Sequence, residues 1–178
     1  MGYNVHIIDS VGEDWQDYTK QLDQLQKEGV RRVRSDSISA RSAKPTALWI
    51  FSEPDAFFAE AQKRGIHVLP VMIASNNHIP EDFMPVHKNL DKLKDYLKRF
   101  CGRYKDIVNC YQISNEPDGS NIGSTLTECN DPAVYIQILS TAYRTIKEVA
   151  PDAVIVAVAP TRKSGYAAAV QRKTRRRL

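Results

Sequence analysis

Reactive side chains in this 178-residue chain gather where apolar runs end. Asp9 follows one such run, Arg34 and Asp36 close a second, Ser75 and His78 lie just past a third, Asn115 and Glu116 follow a fourth, and Thr161 a fifth. Carboxyl, guanidinium, amide and imidazole groups on one rim suit proton transfer and hydrogen bonding to a polar substrate. Other chemistries are poorly provided for. The turn after the first run, residues 9–14, holds one glycine and the carboxylates of Asp9, Glu13 and Asp14, which repel a phosphate rather than cradle it. His6, His67, His78 and His87 have no helical i, i+4 pairing around a glutamate, so no metal site and no cofactor are expected. Cys101, Cys110 and Cys129 lack the short paired spacings of zinc or redox sites and are expected to be buried free thiols.

The runs themselves set the frame. Residues 5–8 read as a first strand, and Trp15, Tyr18, Leu22 and Leu25 recur at helical spacing before Gly29 ends the helix. Residues 30–38 read as a second strand, followed by a polar connection through 47–53. The next helix, 54–64, opens with Pro54, carries Phe57, Phe58 and Ala61, and stops at Gly65. A third strand covers 67–74. After a loop rich in Asn and Pro, Leu90, Leu93, Leu97 and Phe100 mark the apolar stripe of a helix over 90–104. Residues 108–114 form the fourth strand, Asp131-Pro132 starts a helix carrying Tyr135, Ile138, Leu139, Ala142, Ile146 and Val149, and residues 153–159 form the fifth strand.

Strict alternation of near-continuous apolar strands with helices predicts an α/β fold with a parallel sheet. A doubly wound sheet would normally carry a glycine-rich turn after its first strand, whereas a TIM (β/α)8 barrel places its active site at the C-terminal strand ends, where the polar residues lie. The expectation is therefore a (β/α)8-type barrel, truncated after about five strands and four helices, over residues 1–161. Residues 162–178 read as a basic tail, disordered or non-native.

Ser114-Asn115-Glu116-Pro117, preceded by Tyr111-Gln112-Ile113, resembles the fourth-strand signature of the clan A glycoside hydrolases, the retaining (β/α)8 enzymes that include families 5 and 39. The resemblance extends to the first-strand opening Gly2-Tyr3-Asn4-Val5-His6 and to the second strand Gly29-Val30-Arg31-Arg32-Val33-Arg34-Ser35-Asp36 with its arginine. It also takes in the step into the third strand at residues 61–69 and the Ala150-Pro151-Asp152-Ala153 lead into the fifth. It implies hydrolysis of β-linked oligosaccharide or polysaccharide, with Glu116 as general acid/base and Asn115 hydrogen-bonded to the sugar 2-hydroxyl. It further implies that Arg34 faces the catalytic carboxylates, and it brings Asp36, Trp49, His78 and His6 forward as substrate contacts, the rings covering apolar sugar faces. The retaining reaction also needs a second carboxylate, which these enzymes carry on strand seven. No residue of the chain occupies that place. The alternative is a non-catalytic carbohydrate-binding or partner-completed half barrel.

Charge and hydropathy narrow the partners. All 21 acidic residues precede Thr161, as do 18 of the 25 basic ones, so residues 1–161 carry a net charge of −3 and the excess cations sit in the tail. Nucleic-acid proteins usually spread cations over a folded face, so nucleic acid is not an expected partner. No apolar run approaches the roughly 18 to 20 residues of a membrane span, and a membrane partner is not expected either. The N-terminus lacks the basic lead of a signal peptide, which suits a cytoplasmic chain or a mature secreted form. Open sheet edges in a partial barrel lead to the further expectation of self-association.

Overall fold

The computed structural model describes residues 2–4, 17–35, 41–43, 48–73, 83–118, 127–157 and 164–174. In chain order its elements are β1 (Gly2–Asn4), α1 (Asp17–Lys27), β2 (Arg32–Ser35), β3 (Arg41–Ala43), β4 (Leu48–Ile50) and α2 (Ser52–Lys63). They continue with β5 (His67–Met72), α3 (Leu90–Tyr104), β6 (Cys110–Ile113), α4 (Pro132–Val149), β7 (Val154–Ala157) and α5 (Ser164–Thr174).

β1, β2, β5, β6 and β7 lie side by side in chain order, and every neighbouring pair is parallel. Crossovers between parallel strands are right-handed, so strands laid down steadily in one direction send their helices to the same face of the sheet. A doubly wound sheet has to reverse its order part-way, and this sheet does not. The winding is that of a (β/α) barrel.

Burial agrees with that winding. Val33 stands opposite Val68, Met72 opposite Ile113 and Tyr111 opposite Ile155, and all but the half-buried Ile155 are buried on the face the helices cover. Alternate residues on the other face are more open: Arg34, Leu69, Cys110 and Val156 are half-buried, and Val154 is 59% exposed. That face corresponds to the interior of a closed barrel, which is normally filled with side chains.

The helices form where apolar residues repeat every three or four positions. α3 buries Leu93, Tyr96, Leu97, Phe100, Cys101 and Tyr104, and α4 buries Tyr135, Ile138, Leu139, Ala142 and Ile146. The Asp131 carboxylate caps α4 by accepting from the Ala133 N–H at 2.8 Å, with Pro132 in the first turn. α1 and α2 stop at Gly29 (φ 78°) and Gly65 (φ 64°), positions that a side chain would strain.

The structure departs from the sequence reading in several places. The first strand is found at Gly2–Asn4, while residues 5–8, read as that strand, lie outside the described residues. Strand two starts at Arg32 rather than at residue 30, because the Val30 N–H is taken by the Leu25 carbonyl at 2.9 Å as part of the α1 stop, and residues 36–38 lie outside the described residues. The connection after β2 is not wholly irregular, since β3 and β4 pair as an antiparallel hairpin with Ser42 opposite Trp49. The supposed tail contains a helix: α5 buries Tyr166, whose hydroxyl donates to the Cys129 carbonyl at 2.6 Å and whose ring lies 6.2 Å from that of Tyr135. Charge density suggested a solvated arm there, but Tyr166 and the half-buried residues 167–170 supply the apolar face that docks it. Among the described residues, no helix is long and apolar enough to cross a membrane.

Candidate functional site

Arg34 is the third residue of β2 and Gln112 the third residue of β6, two strands away across β5. Alternation along the strands puts both on the open face, in the rows that pair Arg34 with Leu69 and Gln112 with Val71. The arginine spans the gap. Its Nε donates to Gln112 Oε1 at 2.8 Å, and its Nη2 donates to Asn115 Oδ1 at 2.7 Å. Residues 81 positions apart in sequence are thereby joined at the C-terminal end of the sheet.

The backbone there leaves the sheet through an unusual turn. Ser114 has φ 67° and Glu116 φ 42°, both in the left-handed region that costs a side-chain-bearing residue of order 1–3 kcal/mol. The neighbouring strand ends in the same way, with Ile73 at φ 53°. Surrounding groups hold the turn in place. The Ser114 N–H donates to the Met72 carbonyl at 2.8 Å, the Ser114 carbonyl accepts from Gln112 Nε2 at 2.9 Å, and the Ile113 carbonyl accepts from the Tyr135 hydroxyl at 3.3 Å. Ser114 is fully buried, and among the described residues its hydroxyl has no partner. Asn115 and Glu116 are half-buried beyond it, while Pro117 and Asp118 are buried again. Two polar side chains are thus presented from a fixed main chain.

A second polar link joins the segments leaving β5 and β6. His87 lies in a short helical turn before α3 and Glu128 in one before α4, and His87 Nδ1 is 3.1 Å from Glu128 Oε2. The Glu128 side chain is only 10% exposed, and its Oε1 is buried with no partner among the described residues. Burial, reinforced by the Glu128 charge, pushes the adjacent Cys129 thiol up to about 12.

Of the residues nominated by sequence, the structure brings Arg34 and Asn115 into direct contact and sets Glu116 next to them in the same turn. Two of the contacts of Arg34 go to neutral amide oxygens, those of Gln112 and Asn115. Trp49 lies on β4 of the hairpin, outside the five-stranded sheet. Asp36, His78 and His6 lie outside the described residues, as does Asp9. Asp118, the other carboxylate close to the motif, is 3% exposed. The sequence reading missed Gln112 as a site residue. The signal available was a bulky amide in a strand whose neighbours, Tyr111 and Ile113, are apolar.

No family model matches the chain, and no curated protein matches it in sequence. Solved structures do match in shape. A family 1 β-glucosidase from Thermotoga maritima superposes with a TM-score of 0.65 at 15% identity, covering 88% of this chain and 41% of its own. A further glycoside hydrolase gives 0.61 at 19% identity over 88% of this chain and 52% of its own. A GH10 endoxylanase from a sugarcane soil metagenome gives 0.59 at 15% identity over 86% and 46%. The fold is that of part of a (β/α)8 barrel. The chain spans about half the length of these barrels or less, which accords with five parallel strands in order and an inner face left partly open. At these identities the likeness concerns the fold alone.

Proposed function

We propose that the chain is the N-terminal portion of a retaining glycoside hydrolase acting on β-linked sugars. The observation that carries this reading is the Arg34–Asn115 hydrogen bond at 2.7 Å, which sets Asn115-Glu116 at the C-terminal end of a parallel sheet wound in chain order. In that role Glu116 protonates the departing glycosidic oxygen and then, as its conjugate base, takes a proton from the water that releases the sugar. Asn115 hydrogen-bonds the 2-hydroxyl through its side-chain N–H groups, because its oxygen is engaged by Arg34. Arg34 orients the amide and adds positive charge beside the reacting carboxyl.

The two carboxyls of a retaining site stand about 5 to 5.5 Å apart. In this reading the nucleophile comes from a part of the barrel outside these five strands, and the chain by itself binds sugar without efficient turnover. The test is hydrolysis of a panel of p-nitrophenyl β-glycosides by the chain alone and by the chain extended with a complementary C-terminal half barrel, each with Glu116→Gln as control. Turnover by the extended protein that falls by about 10³-fold or more in the control supports the assignment. Equal turnover by both rejects it.

The 59% exposure of Val154 favours a second reading, a half barrel that binds carbohydrate only when a partner covers its inner face. Saturable oligosaccharide binding without hydrolysis in any assembly distinguishes it from the first.

A further inference from the structure

Gln112 is buried in a strand it shares with Cys110, Tyr111 and Ile113, and it lies on the open face of the sheet rather than among the helices. A buried primary amide brings two donors and an acceptor oxygen that all need partners. Here the oxygen accepts from Arg34 Nε at 2.8 Å, and the nitrogen donates to the Ser114 carbonyl at 2.9 Å. The second bond spans only two residues, so it ties the side chain to the main chain at the point where φ turns positive. Arg34 passes the restraint on through its 2.7 Å bond to Asn115 Oδ1. One amide therefore holds the main chain before Asn115 and also the guanidinium that holds the Asn115 side chain.

We infer that Gln112 is a positioning residue that fixes how Asn115 and Glu116 leave β6. Its catalytic meaning rests on the glycosidase reading, whereas its geometric role rests on these contacts alone. A glutamine that merely fills space can be replaced by methionine, which has similar length and volume. A positioning glutamine cannot, because methionine accepts nothing useful from Arg34 and donates nothing to Ser114. Gln112→Glu separates the two bonds. It keeps the acceptor for Arg34 and replaces the donor facing the Ser114 carbonyl with a second acceptor.

The experiment compares the ¹⁵N-labelled full chain with both variants by NMR, alongside titration with glucoimidazole as the probe. In Gln112→Met, Arg34 Nε–H exchange with solvent is expected to rise by about tenfold or more, with the Asn115 side-chain amide signals displaced. In Gln112→Glu, the Arg34 Nε–H stays protected while the backbone amide signals of Asn115 and Glu116 move. Unchanged signals for residues 115 and 116 in a folded Gln112→Met protein overturn the proposal. If that variant does not fold, unchanged backbone signals in Gln112→Glu overturn it instead. Glucoimidazole affinity is expected to fall by about tenfold or more in Gln112→Met. Absence of glucoimidazole binding by the wild-type chain counts against the glycosidase reading alone, since the NMR comparison still decides the role of Gln112.

Discussion

Ser114 pays twice for its place at the end of β6. Its φ of 67° lies where a side chain is strained, and its hydroxyl is buried with no hydrogen-bond partner among the described residues. The strain costs of order 1–3 kcal/mol, and the orphan hydroxyl adds roughly 1–3 kcal/mol. Glycine at this position removes both while returning only about 0.4–1 kcal/mol of chain entropy to the unfolded state. Ser114→Gly is therefore expected to raise unfolding free energy by at least about 1 kcal/mol in urea titration. A stability loss in that variant would show that the serine makes a favourable contact in solution. Strain retained beside Asn115 and Glu116, where a glycine would relieve it, fits a turn shaped for presenting side chains rather than for stability.

At the level of elements, the seam between α2 and α3 is an aromatic stack closed by one carboxylate. The Phe58 and Tyr104 rings are 4.4 Å apart, and those of Phe100 and Tyr104 are 4.8 Å apart. Asp55 accepts from Arg103 Nε and Nη2 at 2.7 and 2.6 Å and from the Tyr104 hydroxyl at 2.7 Å. The Arg103 hydrogen bonds hold the Asp55 carboxyl below its ordinary value of 3.8, outweighing the opposing effect of burial, with Tyr104 lowering it further. A group depressed in the folded state contributes stability that is complete above its unfolded value and is lost as pH falls through the folded one. Asp55→Asn is accordingly expected to lower the melting temperature at pH 7, with the gap from wild type closing as pH drops below 3.8. A gap that stays constant between pH 6 and about 2 would place the effect in packing rather than charge.

For the whole molecule, the decisive feature is a sheet covered on one face and partly open on the other. Among the described strands β7 lies at an edge of the sheet, and Val154 on it is 59% exposed, an arrangement that invites pairing with another chain. Val154→Lys is expected to reduce concentration-dependent association in sedimentation velocity, as edge lysines generally do, and no change in sedimentation would separate association from this edge. The covered side makes the opposite prediction. Burial pushes the Cys101 thiol well above its ordinary range, and Cys129 is pushed up to about 12 by burial and then by Glu128. Both thiols are expected to resist iodoacetamide at pH 8 until the chain unfolds, whereas the half-buried Cys110 reacts first. Mass-spectrometric mapping of the modified cysteines over a urea series checks this. Early labelling of Cys129 would mean that α5 and its Tyr166 contact open before the core does.

Periodicity alone located α3 at residues 90–104, the start of α4 at Asp131-Pro132 and the helix stops at Gly29 and Gly65, because spacing, proline and glycine act on a few neighbouring residues. The sequence likewise marked Asn115, Glu116 and Arg34 by their place at strand ends. It determined, in this sense, which groups would stand on the rim. Only the tertiary structure decided how they meet. The strand order that puts β2 and β6 on either side of β5, the choice of Gln112 and Asn115 as partners for Arg34, and the docking of α5 through Tyr166 all depend on contacts between residues 37 to 81 positions apart. Such contacts are selected by the geometry of the closed core, which no local run of residues encodes.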